Sequence, residues 1–279
     1  MAMLHPIKEE LLILTKTYPS PSAKYRETTC VAALNRAGEM RRLYPVPYRL
    51  LDGDDQFEKW EWIKASISTT DGDARPESRR IDTDSIERLG KVIKPKDGDW
   101  GERLRWIQSH IVPTYAELEA RRTSTGKTLG FLRASKIVDL KITHVKQADW
   151  TEADKIKLTQ DGLFDSVEIK QRQPLRKLPY DFHYRYECAT SAGVPETNTH
   201  KLTDWEIGAL YWTCIKSYGP KGWEAKFRYR LETEFARKDL LFLMGTIHRF
   251  PDQWLIVGIV YPPRPVPGAA KQLGLPLGL

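Results

Sequence analysis

The segment TTCVAALNRAGEMRRLYPV, residues 28–46, limits the folds open to this chain more than any other. It holds two runs of apolar and β-branched residues around a turn in which Gly38 can adopt positive φ, so it predicts a β-hairpin. Pro45 and Pro47 end the second run, because proline cannot donate a hydrogen bond to a sheet ladder. A fold that contains this hairpin is built from short antiparallel strands.

Further strand patterns follow along the chain. Alternation of apolar and polar residues predicts strands at 60–67, 138–142, 182–188 and 226–232. The apolar segment 239–263 predicts two more strands, joined by a Phe-Pro-Asp-Gln turn.

Helical periodicity appears between residues 100 and 122 and again from Asp204 to Tyr218, where Gly219 and Pro220 should end the helix. Short hairpins with a helix between them suit small five-stranded barrels. We therefore predict a mainly β fold with helical insertions (α+β) that contains two OB-like small barrels. The predicted divisions are an N-terminal OB-like domain with a helical insertion at 1–148, a C-terminal OB-like domain at 149–262 and a flexible Pro/Gly-rich tail at 263–279.

The charge balance indicates which partners the chain can have. Its 44 lysines and arginines exceed its 37 acids, which gives a net charge of +7. Such a balance favours polyanions, above all nucleic acid. The three cysteines form no CxxC pair, and the apolar run near the N-terminus is only a few residues long. We therefore expect a cytoplasmic protein that does not associate with a membrane.

Arginine is interleaved with aromatic residues in the stretches RRLYPVPYR, YRY and FRYR. Single-stranded nucleic acid is held by a basic groove together with aromatic side chains on which bases stack. The same alternation fits strands whose aromatic residues fill a core while the arginines face water, so the sequence leaves both interpretations open. The residues predicted to bind nucleic acid are Arg41, Arg42, Tyr44, Tyr48, Arg49, Trp62, Arg79 and Arg80.

The stretch at 182–208 concentrates residues that carry chemistry: His183, Cys188, His200, Asp204 and Glu206. Thr203 and Glu206 fit a capping box at the start of a helix, which accounts for the acids structurally. A metal on Cys188 and His200 would need two further ligands, so we predict no metal and no cofactor. The alternative is a hydrolase or base-processing enzyme that acts on DNA or a nucleotide through His183, His200, Asp204 and Glu206.

Several segments together resemble a known family. They are TYPSPSAKYRETTCVAAL, GEMRRLYPVPYRLL, RPESRR, the DWE sequence that begins a helix, and KDLLFLMGTIHRFPDQWLIVGIVYPP. Their combination resembles a family of uncharacterised prokaryotic proteins described as dual OB-containing domains, over nearly the whole chain. The resemblance implies two OB-like barrels and a DNA-binding accessory or sensor role in antiviral defence or DNA processing.

Three functions stay open on the sequence. The first is nucleic-acid binding, with single-stranded DNA or DNA favoured and with a protein partner in a complex. The second is the enzyme described above, whose catalytic residues the sequence does not identify. The third is a protein-binding scaffold that uses its sheet edges and its proline-rich tail. Small barrels host many functions, so the fold alone does not choose between them.

Overall fold

The computed structural model describes residues 6–70, 72–159 and 173–264. The protein is mainly β, with 46% strand and 28% helix, and it forms a two-domain α+β structure. The first domain contains a closed five-stranded barrel. The predicted mainly β fold with helical insertions is therefore confirmed.

Five strands close the barrel. They are β1 (Ile7–Lys16), β3 (Arg26–Asn35), β4 (Met40–Val46), β5 (Glu61–Ser68) and β6 (Ser78–Val92), while the short β2 (Ser20–Ser22) pairs with β3. The order around the barrel is β1, β5, β6, β4, β3 and back to β1. Neighbouring strands are antiparallel, except that β4 and β6 run parallel. The predicted hairpin is confirmed as β3 and β4, with Gly38 at φ +78°.

Strand β1 shows why the barrel needs a second layer. Leu11 and Ile13 pack inside the barrel, whereas Leu12 and Leu14 pack on its outside. All four side chains are buried. A strand that is apolar on both faces must be covered on both faces. The outer face of the barrel is therefore an interface.

The rest of the described chain contains two sheets and four α-helices. The four-stranded sheet has the order β13 (Phe250–Val260), β12 (Leu240–Ile247), β8 (Leu129–Ala134) and β7 (Ile111–Val112). The three-stranded sheet has the order β11 (Glu196–Lys201), β10 (Tyr180–Cys188) and β9 (Lys136–His144). The helices are α1 (Gly101–Ile107), α2 (Tyr115–Thr125), α3 (Glu152–Thr159) and α4 (Trp205–Arg228).

An aromatic core joins the two sheets to α4. Phe182, Tyr184 and Tyr186 lie on the buried face of β10, as the alternation predicts. The Phe182 ring packs against Tyr211 of α4, with 5.7 Å between ring centroids. Cys214 of α4 lies in the same core.

The four-stranded sheet covers the outer face of the barrel. The interface combines Leu12, Leu34 and Trp62 of the barrel with Phe131, Leu243 and Val257 of the sheet. A hydrogen bond also joins the two, because the Thr15 hydroxyl of β1 donates to the Val257 carbonyl of β13 at 3.2 Å. The barrel and the sheet therefore share one buried apolar layer.

The course of α4 differs from the sequence prediction after its break. Gly219 interrupts the helix at φ +68°, as predicted, but the chain resumes as helix at Pro220 and continues as a π-helical turn (Tyr229–Glu234). The strand predicted at 226–232 is therefore wrong. Phe227 and Leu231 are four residues apart and are both buried, so the segment buries one helical face.

Two local predictions also need correction. The N-cap of α4 is Asp204 rather than Thr203, because the Asp204 carboxylate accepts from the Glu206 N–H at 2.8 Å. The turn between β12 and β13 lies at 248–249, and Pro251 is already part of β13. Pro251 thus lies on an edge strand, the position in a sheet where proline is tolerated.

The structure leaves the predicted tail and the predicted domain boundary untested. Residues 265–279 of the predicted tail are outside the described residues, and the domain boundary at 148/149 stays a prediction. No helix in the described ranges is long and apolar enough to cross a membrane.

Candidate nucleic-acid interface

A basic groove of about 600 Å³ lies between the β3–β4 hairpin, the start of β6 and the end of α2. We define the basic groove by its basic side chains, Arg41, Arg79, His110, Arg121 and Lys127. Two carboxylates, Glu39 and Glu77, also line it. With His110 neutral, four cations face two anions, so the groove carries a positive charge.

Arg121 and Lys127 supply the uncommitted charge of the basic groove. Both side chains are exposed, and neither has a carboxylate within 4.0 Å among the described residues. They flank the end of α2, which Gly126 terminates at φ +70°. Backbone hydrogen bonds position the Arg79 side chain, because its Nη1 donates to the carbonyls of Pro76 and Ser78.

The positive charges of the basic groove contribute to the lowered pKa values of two ionisable groups that line it. Burial lowers the pKa of His110, and the charges of Lys127 and Arg121 lower it further. The hydrogen bonds that Glu39 accepts from Arg41 and Asn35, together with the charge of Arg41, lower the pKa of Glu39. A phosphate would meet the same field.

Of the residues predicted from sequence, Arg41 and Arg79 meet in this groove. Arg41 already has partners, since it donates to Glu9 at 2.9 Å and to Glu39 at 2.6 Å. Arg42 lies beneath, buried, and donates to the carbonyl and hydroxyl oxygens of Thr128 at 3.0 and 3.1 Å. These hydrogen bonds connect Arg42 of β4 to the residue that precedes β8.

The predicted aromatic residues are spread over three places. Tyr44 of β4 is 51% exposed. Tyr48 lines a second cavity, described below. Trp62 is buried beneath the Arg36 guanidinium, which lies 3.6 Å from the ring centroid. The structure therefore does not bring these three rings together.

The two remaining predicted arginines lie apart from the basic groove. Arg49 donates to Glu27 at 3.0 Å and to the Gln173 carbonyl at 2.6 Å. Arg80 is exposed, and its Nη2 donates to the Tyr25 hydroxyl at 3.3 Å. The nucleic-acid role of both residues stays a prediction.

An inter-domain pocket of about 580 Å³ lies where the barrel meets α1, α4 and the end of β13. Its lining residues are Ile13, Thr15, Lys16, Tyr48, Glu58, Lys59, Trp60, Trp100, Arg103, Asp204, Trp205, Glu206, Ala209, Ile259 and Tyr261. The volume is in the range of small-molecule sites. Aromatic and ionisable side chains dominate the lining.

Lys59 and the two acids of α4 form an ionic cluster in this pocket. The Lys59 ammonium donates to Glu206 and to the Ile259 carbonyl, each at 3.0 Å, and lies 4.0 Å from Asp204. Burial raises the pKa of Asp204 to about 6, although the charge of Lys59 opposes the shift. Burial also acts to lower the pKa of Lys59, but the charges of Asp204 and Glu206 prevail and raise it.

Lys16 is a cation of the inter-domain pocket that has no carboxylate within 4.0 Å among the described residues. Its ammonium donates to the Phe57 carbonyl at 3.1 Å and lies 3.9 Å from the centroid of the Tyr48 ring. Burial lowers the pKa of Lys16 to about 8, with the charge of Glu206 acting in the opposite direction. An ammonium group without a carboxylate partner can bind an anion.

The residues of the predicted enzymatic alternative divide between two places. Asp204 and Glu206 line the inter-domain pocket, whereas His200 lies on β11 with its Nδ1 3.0 Å from the Tyr186 hydroxyl. His183 is on the opposite face of β10 from Cys188. Burial lowers the pKa of His200 to about 4 and raises that of Cys188 to about 11.

No group of three or more His, Cys, Asp or Glu residues in the described ranges is arranged to hold a metal ion.

Sequence reasoning missed the cations that the structure places at the two sites. Lys16, Lys59 and Arg103 of the inter-domain pocket come from three separate elements. Arg121 and Lys127 show in the sequence only as part of the general basic excess. The one local signal is that Lys59 and Arg103 each lie within three residues of a tryptophan.

Comparisons with known proteins divide the chain into two adjacent parts. A family model described as Domain of unknown function (DUF8758) matches residues 7–109, which include the barrel and α1. A second model, Domain of unknown function (DUF8757), matches residues 111–276. A search of curated proteins finds no match. Because the second model covers more than half of the chain, the protein belongs to the DUF8757 family.

Proposed function

We propose that the protein binds nucleic acid, with single-stranded DNA or DNA preferred, and that phosphates of the strand lie in the basic groove. The observation that carries the proposal is the convergence of Arg79, Arg121 and Lys127 on one groove. Arginine and lysine are the principal side chains that contact phosphate oxygens. Contacts to phosphate are independent of base sequence.

The wider role that we propose is that of a cytoplasmic accessory or sensor component in a prokaryotic defence or DNA-processing system. This role is supported by the sequence resemblance to dual OB-containing domains and by the closed barrel, which agrees with that resemblance. Five-stranded OB barrels commonly bind oligonucleotides. In such a system the protein would act in a complex with a protein partner.

A charge-matched pair of variants tests the binding proposal. Arg121→Gln/Lys127→Gln removes two cations from the basic groove. Lys216→Gln/Lys221→Gln removes two exposed cations from α4, outside the groove, and leaves the same net charge. Fluorescence anisotropy with labelled single-stranded DNA, duplex DNA and RNA should show a loss of about tenfold or more for the groove variant only.

Two results would count against the proposal. If both double variants lose affinity equally, binding depends on net charge and not on the basic groove. If the folded groove variant binds every nucleic acid as tightly as the unmodified protein, the groove is not the site. Circular dichroism of both variants establishes that they are folded.

We propose as second candidate an enzyme that acts on DNA or a nucleotide at the inter-domain pocket. It is supported by the placement of Asp204 and Glu206 beside Lys16 and Lys59. Buried ionisable groups with shifted pKa values are concentrated at catalytic sites. The test is to incubate the unmodified protein and Glu206→Gln with oligonucleotides and nucleotides. Chromatography then shows whether either protein forms products. Equal turnover by a folded Glu206→Gln variant would remove Glu206 from the mechanism.

A further inference from the structure

Four of the five aromatic residues that line the inter-domain pocket form two pairs. Tyr48 of the barrel meets Trp205 at the start of α4, with 5.5 Å between ring centroids. Trp100 before α1 meets Tyr261 after β13, with 5.6 Å between centroids. All four rings are partly exposed. Such rings can pack against a flat, conjugated ligand without first leaving a core.

Two cations of the same pocket retain unused hydrogen-bond donors. Arg103 donates from Nε to the Ile93 carbonyl, and its guanidinium lies 4.8 Å from the Trp100 ring centroid. Its Nη atoms make no hydrogen bond to the described residues. Lys16 donates only to the Phe57 carbonyl and has no carboxylate within 4.0 Å in the described part of the chain. An arginine fork and a lysine are the usual ligands of a phosphate.

The carboxylates of the pocket indicate what else the ligand must carry. Lys59 lies between Asp204 and Glu206 and compensates part of their charge. Glu206 remains 51% exposed, and Glu58 is exposed at the edge of the pocket. These carboxylates accept hydrogen bonds from N–H or O–H groups and repel a ligand that is only anionic. The ligand therefore combines a flat ring, hydrogen-bond donors and an anionic group.

From this combination we propose that the inter-domain pocket binds a nucleotide, with its base between the aromatic pairs, its phosphate on Lys16 and Arg103, and its donors toward Glu206. The cavity of about 580 Å³ accommodates a ligand of that size. The nucleotide can be free in solution or can be an unstacked nucleotide of a bound strand, as in proteins that extrude a base into a pocket.

The inference does not depend on strand binding in the basic groove, because the two sites share no lining residue. It supplies the ligand that the enzymatic candidate requires, but binding can be measured whether or not a bond is broken. Failure of the groove proposal is read from Arg121→Gln/Lys127→Gln, and failure of the pocket proposal is read from pocket variants. The two failures are therefore distinguishable.

The test is calorimetric titration of the full chain with the four ribonucleoside 5′-monophosphates, the corresponding nucleosides and ribose 5-phosphate. At least one monophosphate should bind, and its nucleoside and ribose 5-phosphate should bind at least about tenfold more weakly, since each lacks one half of the recognised group. Trp205→Leu and Arg103→Met should each reduce the affinity by about tenfold or more. Lys216→Gln/Lys221→Gln, which changes residues outside both the inter-domain pocket and the basic groove, should leave the affinity unchanged.

A second arm identifies a nucleotide that comes from a strand. In that case monophosphates bind weakly or not at all, but a single-stranded oligonucleotide containing 2-aminopurine changes its fluorescence on binding, and Arg103→Met abolishes the change. Arg103→Met also serves if Trp205→Leu does not fold. The proposal is overturned if no monophosphate binds and the 2-aminopurine signal is the same in the unmodified protein and in Arg103→Met.

Discussion

At the scale of single residues, Asp204 connects three parts of the molecule. Its carboxylate caps α4 and also accepts from the Ile259 N–H of β13 at 2.9 Å. The Lys59 ammonium of the barrel lies 4.0 Å away. Each of its two carboxylate oxygens therefore accepts one backbone hydrogen bond, and the Lys59 ammonium lies close to one of them.

Asp204→Asn should lower the free energy of unfolding by about 1–3 kcal/mol, because an amide nitrogen cannot accept from a backbone N–H. The effect should also depend on pH. The folded-state pKa of Asp204, about 6, lies above the ordinary value of 3.8, so the native protein binds the extra proton. The stability contributed by Asp204 is therefore fully present at low pH and falls as pH rises through this window.

Urea unfolding of the protein and of Asp204→Asn at several pH values between about 4 and 7 measures this difference. The advantage of the unmodified protein should be largest at the acidic end. An advantage that grows as pH rises would contradict the burial effect.

His200 should affect stability in the opposite direction. Burial lowers its folded-state pKa from 6.5 to about 4, so the unfolded chain binds the proton more readily. The stability contributed by neutral His200 is present above pH 6.5 and is lost as pH falls toward 4. In His200→Gln, which cannot titrate, the melting temperature should fall less on acidification. Parallel melting curves for both proteins across that range would contradict this assignment.

Only some of these residues could be recognised in the sequence. Tyr48, Asp204 and Glu206 stand in distinctive local patterns, and all three line the inter-domain pocket. Lys16 and Arg103 have no such pattern. Their surroundings are created by segments far apart in the chain, and no local periodicity reports which segments the fold brings together.

At the scale of elements, α4 packs against Tyr18, which follows β1 of the barrel. Gly208 in its first turn faces the Tyr18 ring so closely that an added Cβ would lie within 3.0 Å of it. Tyr18 is fixed there, because its hydroxyl accepts from the Trp212 Nε1–H at 2.9 Å and donates to the Arg176 carbonyl at 2.8 Å. Glycine at position 208 permits this close approach.

Gly208→Ala should therefore lower the free energy of unfolding by about 1–3 kcal/mol through steric overlap with Tyr18. Gly53→Ala is the matched control, since an added Cβ there meets nothing within 4 Å and the backbone is not at positive φ. The control should change stability by less than about 0.5 kcal/mol in chemical denaturation. Equal losses in the two variants would show that the overlap at Gly208 is relieved without cost.

The second half of α4 shows where element prediction fails. The alternation of Phe227, Tyr229 and Leu231 indicates a strand, but Tyr229 is 50% exposed and the other two are buried. Pro220, just after the break at Gly219, is a helix-start signal that outweighs the alternation. The strands predicted at 60–67, 138–142 and 182–188 match β5, β9 and β10, because each of these segments alternates with one clear period.

At the scale of the whole molecule, the barrel presents its outer face to the four-stranded sheet and not to solvent. Trp62, for example, is 3% exposed in this interface. A small barrel could be predicted from short hairpins with a helix between them, whereas this interface could not, because an apolar outer face has the same sequence pattern whatever covers it. With that face covered, we propose the basic groove as the phosphate-binding site.

The salt dependence of binding tests that assignment most directly. The affinity for single-stranded DNA is measured by anisotropy from low to high salt for the unmodified protein, Arg121→Gln/Lys127→Gln and Lys216→Gln/Lys221→Gln. If the basic groove holds phosphates, the slope of log affinity against log salt should become shallower by about 2 in the groove variant and stay unchanged in the α4 variant. Identical slopes for all three proteins would contradict phosphate binding in the basic groove.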